Sequence, residues 1–468
     1  MRPDPALARL TAVALADGYR ARRFSPVDVV AACLAVVEAR NAELNALVAV
    51  AAESALAEAR ASERRWHAGR PIGALDGVPF TAKDQYATRG LPARSGSLTT
   101  SADVGTDDAP PVARLKEAGA ILLGKTAMCE FGWKGVTDSP LAGVSRNPWN
   151  PARTCGGSSG GAAIAAATGM GAIHVGSDGA GSVRIPAAFC GVFGFKATFG
   201  RVPAYPPGRL ALGHTGPLTR SVTDAALALN AMTRPDARDA LALPDARVDY
   251  REGLDEGVAG LRIAWCPTLA GARPDDDVLR VATAAVRALE SMGAIVEETG
   301  SPIADPRPLF DRLWSASMAQ VWRKIPEDRR SLCDPGFAAV ARGGLALSAN
   351  DLLDAIAARL ADGTTMSRFH QRHALLVTPQ MPTTAFEAGA DVPAGRDMDS
   401  WLDWSPYSYP FNWTQQPAAS VPCGFGDDGL PVALQVVGAR HDEVGVLRAC
   451  RALERARPFV PLPRASSA

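Results

Sequence analysis

Thr154-Cys155-Gly156-Gly157-Ser158-Ser159-Gly160-Gly161, followed by Gly176-Ser177-Asp178-Gly179-Ala180-Gly181-Ser182-Val183-Arg184-Ile185-Pro186, is the densest glycine–serine region of the 468-residue chain. A lone Gly-Gly-Ser-Ser-Gly-Gly reads as a flexible linker, but linkers join domains rather than elements of one core. Here an alanine-rich helix and the apolar strand Ala172-Ile173-His174-Val175 follow at once. The region therefore belongs to a folded core.

Outward from it, short apolar runs bounded by glycine alternate with helical patterns. Gly77-Val78-Pro79-Phe80-Thr81-Ala82 reads as a strand ending at Lys83-Asp84, and Ile121-Leu122-Leu123 as a buried strand. Further strands are expected at Leu261–Trp265, near Ile295, at Ala374–Thr378 and at Val432–Val437, with helices at about 276–292 and 442–455. Strands alternating with helices predict an α/β layered fold around a large mixed, mainly parallel sheet. The first 70 residues or so read as helical instead. Ser25-Pro26-Val27-Asp28 supplies an N-cap, a proline at the first helical position and an acid in the first turn. That helix is expected through Ala39, and a second from about Ala51 to Arg70. The expected organisation is an N-terminal helical segment, 1–70, packed on a main domain, 71–468, as one structural unit.

Composition narrows the function. Lys+Arg and Asp+Glu both count 49, so there is no basic excess for a nucleic-acid surface. The eight cysteines are scattered with no C-x-x-C, which reads as reduced buried thiols. The six histidines are scattered too, and no metal or cofactor is expected. No apolar run reaches the roughly 18 residues of a membrane helix, and Asp4 and Arg9 break any leader pattern, so a cytoplasmic protein is the expectation.

Two catalytic patterns compete locally. Gly119 to Thr126 fits the phosphate-loop spacing, but its Ile-Leu-Leu reads as the strand itself. Gly156-Gly157-Ser158-Ser159-Gly160 satisfies G-x-S-x-G, which would make Ser158 the nucleophile of an α/β-hydrolase with His441 as its base. That motif needs a strand directly before it, whereas Asn147-Pro148-Trp149-Asn150-Pro151 is loop-like.

Taken together, Lys83, Gly156 to Gly161 and Gly176 to Pro186 resemble the amidase signature family. The resemblance also takes in Gly124-Lys125-Thr126, Asn147-Pro148-Trp149, Phe189-Cys190-Gly191, Phe411-Asn412-Trp413 and Gly429-Leu430-Pro431, and so spans nearly the whole chain. It implies a single α/β/α domain with N-terminal helices and a Ser-cisSer-Lys triad. Ser182 matches the family's nucleophile, Ser158 the relay serine reached through a cis peptide, and Lys83 the base. Gly179, Ala180, Gly181 and Ser182 match the loop whose N–H groups form the oxyanion hole.

The chemistry is coherent. A serine hydroxyl needs a base to take its proton. A lysine serves only when neutral, which requires burial to lower its pKa from about 10.4. Asp178 and Arg184 flank the nucleophile loop and are expected to pair and hold its shape. Gly132 and Trp133 match the acyl-side pocket, where a tryptophan would favour a flat or apolar acyl group, and a place for Trp133 in the core fits the sequence equally well.

The chain departs from the family pattern in several places. Gly179 and Ala180 replace residues of the commoner Asp-Thr-Gly-Gly-Ser loop, Cys155 replaces a proline, and Gln415-Gln416 replaces a segment that often holds glycine and bears on the pocket. The resemblance implies hydrolysis of a small-molecule amide (aryl amide, oligoamide and carbamate all fit) by a monomer or homodimer without nucleic-acid or membrane partners. The family also includes the glutaminase component of the tRNA-dependent amidotransferase. That subgroup usually carries glutamine at the middle position of what is here Arg184-Ile185-Pro186.

Overall fold

The apolar runs between glycines pair into one eleven-stranded sheet. In the computed structural model, which describes residues 4–206 and 211–460, the first strands are β1 (Leu47–Val50), β2 (Pro79–Lys83) and β3 (Ile121–Thr126). A separate small ribbon is formed by β4 (Asp138–Ser139) and β5 (Gly143–Val144). The large sheet continues with β6 (Ile173–Asp178), β7 (Phe193–Lys196), β8 (His214–Thr219) and β9 (Arg262–Trp265). It is completed by β10 (Ile295–Glu298), β11 (Leu375–Pro379), β12 (Ala418–Phe425) and β13 (Pro431–Gly438). The spatial order is β1-β3-β2-β6-β8-β7-β12-β13-β11-β9-β10. Parallel runs, β3-β2-β6 and β11-β9-β10, form the flanks, and antiparallel pairs join them through the centre.

This is the layered α/β fold around a large mixed sheet that the alternation of strands and helices implies. Alternate residues of a strand face opposite sides. Along β13, Val432, Leu434 and Val436 enter an apolar cluster shared with the helices Val222–Met232, Asp276–Ser291 and Glu443–Ala456. Ala433 and Val437 enter clusters on the other face. A sheet covered on both faces has its strands buried throughout, and β2, β3 and β13 are buried at every residue. The would-be phosphate loop is β3 itself. All eight cysteines are buried free thiols. Among the described residues, no helix is long and apolar enough to cross a membrane.

Among the described residues, the regular elements of the N-terminal segment are helical with one exception. Ser25 Oγ accepts from Asp28 N at 3.2 Å and Asp28 Oδ2 accepts from Ser25 N at 2.9 Å, closing a capping box on the helix Pro26–Leu44. That helix runs past Ala39 and stops at Asn45, which adopts a left-handed conformation. The side-chain oxygen of Asn41 then accepts from Ala46 N and Leu47 N, turning the chain into β1. This edge strand, hydrogen-bonded to β3, corrects the purely helical reading of residues 1–70. Four residues are too few to show a period, so pairing alone defines it. Ser25→Ala is expected to lower stability by about 1 kcal/mol, seen in urea unfolding as a lower midpoint at unchanged slope.

Candidate active site

Lys83 is the last residue of β2, held between β3 and β6 and fully buried. Its Nζ lies 2.7 Å from Ser158 Oγ, 2.9 Å from Ser159 Oγ and 2.9 Å from Ser177 Oγ. Ser158 follows a cis Gly157–Ser158 peptide and precedes the helix Gly160–Thr168. Glycine is required at 157, because a Cβ there would sit 2.4 Å from the backbone of Val136. Ser159 N donates to Ser182 O at 3.2 Å, tying the two serine loops together.

The loop carrying Ser182 joins β6 to the helix Arg184–Cys190. Its shape is fixed by a fully buried ion pair. Arg184 Nε and Nη2 donate to Asp178 Oδ2 and Oδ1, each at 2.9 Å. Asp178 also accepts from Gly181 N at 2.7 Å, Val183 N at 3.2 Å and Asn412 Nδ2 at 2.9 Å. Arg184 reaches further, to Gln435 Oε1 and Asn412 Oδ1 at 2.6 Å each and to Ser408 O at 3.0 Å. Burial alone would push the Asp178 carboxyl up, but the Arg184 guanidinium outweighs it and holds the carboxyl well below the usual carboxylate range. The pair expected from the sequence is present. Asn412, Gln435 and Ser408 were not legible as its partners, because they arrive from the far end of the chain.

This arrangement corrects one expected oxyanion donor. The Gly181 N–H is already taken by Asp178. Among the described residues the N–H groups of Gly179, Ala180 and Ser182 meet no protein acceptor.

Ser158, Ser182, Gly179 and Gly132 line one cavity of about 470 Å³, within the range typical of small-molecule sites. Phe131, Leu212, Trp314 and Val321 form its apolar wall, and Gln85, Ser177, His214 and Thr215 its polar one. Trp314 comes from the helix Arg307–Trp322, which is not among the elements expected from the sequence, and its ring edge lies over Gly179. His214 is held neutral by burial, reinforced by the charge of Lys196, and its Nδ1 lies 2.8 Å from Leu212 O.

Other expected residues lie elsewhere. Trp133 is not on the cavity wall: its ring packs against Gly336 within the aromatic core, and its carbonyl accepts from Trp314 Nε1. Gln415 and Gln416 do not line the cavity either. They bond to Ala211 O and Gly438 O. His441 lies between β13 and the helix Glu443–Ala456 and does not line the cavity; its backbone N–H donates to Thr198 Oγ1.

Gly132 has φ +69, and a Cβ there would lie 3.2 Å from Ser158 Oγ. Gly132→Ala is therefore expected to cost about 1–2 kcal/mol of backbone strain and to crowd Ser158. A lower melting temperature together with a reduced kcat would be the readout.

The family model described as Amidase matches residues 28–447. The chain belongs to the amidase signature family. Within the family, it is 35% identical over 466 residues to an acylamidase of Rhodococcus erythropolis, covering 98% of each chain. It is 34% identical to a glutamyl-tRNA(Gln) amidotransferase subunit of Moorella thermoacetica, covering 96% of this chain and 97% of that one. Among solved amidase signature structures, a bacterial aryl acylamidase superposes with a TM-score of 0.89 at 29% identity, covering 96% of this chain and 97% of that one.

Proposed function

We propose that this amidase signature protein hydrolyses a small-molecule amide, with Ser182 as nucleophile, Ser158 as proton relay and Lys83 as base. The reading rests on one observation above all. A fully buried amine sits 2.7 Å from Ser158 Oγ, and Ser158 and Ser182 share a cavity wall. Burial disfavours an ammonium, so a lysine in such a place is suited to act as the free base. Lys83 takes the Ser158 proton as Ser158 takes that of Ser182. Ser182 Oγ attacks the amide carbonyl, and the N–H groups of Gly179, Ala180 and Ser182 receive the developing oxyanion. Removing one such donor typically costs about 10²–10³ in rate. The relay returns a proton to the amine as the C–N bond breaks, and water then cleaves the acyl-enzyme to the acid.

Trp314 and Phe131 make an apolar wall beside Gly179, which favours a flat or apolar acyl group. The relative named an acylamidase supports an acyl amide as the substrate. The test is a panel of anilides, short primary amides, carbamates and glutamine, with mass spectrometry after a serine-directed phosphonate. The expected outcome is anilide turnover and an adduct on Ser182, both lost in Ser182→Ala and kept in His441→Ala. No turnover of any amide, or an adduct elsewhere, overturns the proposal. Turnover of glutamine alone would favour the amidotransferase reading.

A further inference from the structure

The hydroxyls around Lys83 fix where its protons go. Ser159 Oγ donates to Ser177 O at 3.1 Å and accepts from Ser177 N at 3.2 Å. Its own proton is committed, so toward Lys83 it can only accept. Ser177 Oγ in turn donates to Gln85 Oε1 at 2.8 Å, so it too faces Lys83 as an acceptor. A neutral lysine amine has two hydrogens and one lone pair. Of these three hydroxyls, Ser159 and Ser177 can only take its hydrogens, so the 2.7 Å contact to Ser158 falls to the lone pair. In this arrangement Ser158 is the donor and Lys83 the acceptor, as the relay requires. The Ser159 half is locked by the backbone of residue 177. The Ser177 half depends on one exposed side chain, Gln85, at the edge of the cavity.

We infer that Gln85 is a positioning residue: by taking the Ser177 proton, it orients the Lys83 lone pair toward Ser158. Without that acceptor the Ser177 hydroxyl turns its proton on the lone pair and competes with Ser158 for it. The inference rests on the assignment of Lys83 as base, but not on the identity of the substrate.

The test uses the full-length protein and the rate at which a serine-directed phosphonate modifies Ser182, followed against pH, so no amide substrate is needed. Because Gln85 is exposed, its variants are expected to fold normally, which a melting curve checks. Gln85→Leu is expected to slow modification about tenfold at every pH, the cost of roughly one misdirected hydrogen bond. Gln85→Glu restores the acceptor but adds a negative charge one hydroxyl away from the amine. An opposite charge favours the ammonium, so the rate should recover at high pH while the acid limb of the profile moves up by about one pH unit. If both variants match the wild-type rate and profile, the inference is overturned. It is equally overturned if Gln85→Leu changes only KM for an amide and leaves modification untouched, since that marks a substrate contact. Rapid modification of a wild-type protein that hydrolyses no amide would instead sink the proposed function and leave the Gln85 result readable.

Discussion

Lys83→Met is expected to lower kcat/KM by about 10³-fold or more without unfolding the protein. Methionine keeps the length and apolar character of the lysine stem and removes the basic atom that lies 2.7 Å from Ser158 Oγ. General-base assistance is worth roughly 10²–10⁴, and without it Ser182 must attack as a neutral alcohol. The fold should survive, because Ser159 keeps its bonds to the backbone of residue 177 and Ser177 keeps Gln85. Removing a buried amine also removes a group whose charged form is costly to bury. Steady-state kinetics and a thermal melt on the same preparation check both parts. A variant with more than a tenth of wild-type activity and an unchanged melt would show that the base lies elsewhere. Ser182→Ala is the companion control, with a loss at least as large, since the two act in one relay and their effects do not add.

Arg184→Met should be the most destabilising change in the site. It leaves the Asp178 carboxylate buried with its charge uncompensated, at a typical cost of about 3–5 kcal/mol. It also frees the Ser182 loop from its anchors at Asn412, Gln435 and Ser408. Activity should fall with stability, and the double variant Asp178→Asn/Arg184→Met should recover part of the stability but not the activity. The pair also sets an acid limit. Asp178 titrates below its unfolded value in the folded protein. Its contribution to stability is therefore fully present above the unfolded carboxylate pKa of about 3.9, and is lost as pH falls through the depressed folded value. Acid unfolding of the wild type should thus steepen below about pH 4, and Asp178→Asn/Arg184→Met should lack that increment. An identical acid profile in the two proteins would assign the limit to other groups.

Local chemistry made part of this protein legible from its sequence alone. The Ser25 capping box, the strand ending at Lys83 and the strand begun at Ala172–Val175, which in the structure runs on to Asp178, depend on residues within a few positions of one another. The Asp178–Arg184 pair was readable for the same reason, with both partners at the ends of one loop. Apart from the family resemblance, what the residues themselves could not decide was which distant groups converge. Lys83, Lys125 and Lys196 are all fully buried lysines at or near the ends of strands. Burial lowers Lys125 to about 8, but its amine is bonded to Tyr86 O at 2.5 Å. Lys196 is spent on Gln416 O. Of the three, Lys83 is the one whose amine meets the serine loops, because the parallel β2–β6 pairing brings its strand end beside Ser177 near the end of β6. Trp314, rather than Trp133, reaches the cavity for a similar reason. A residue's chain neighbours set its backbone and its face, but the direction in which its side chain ends is decided by sheet register and by helices packed from hundreds of residues away.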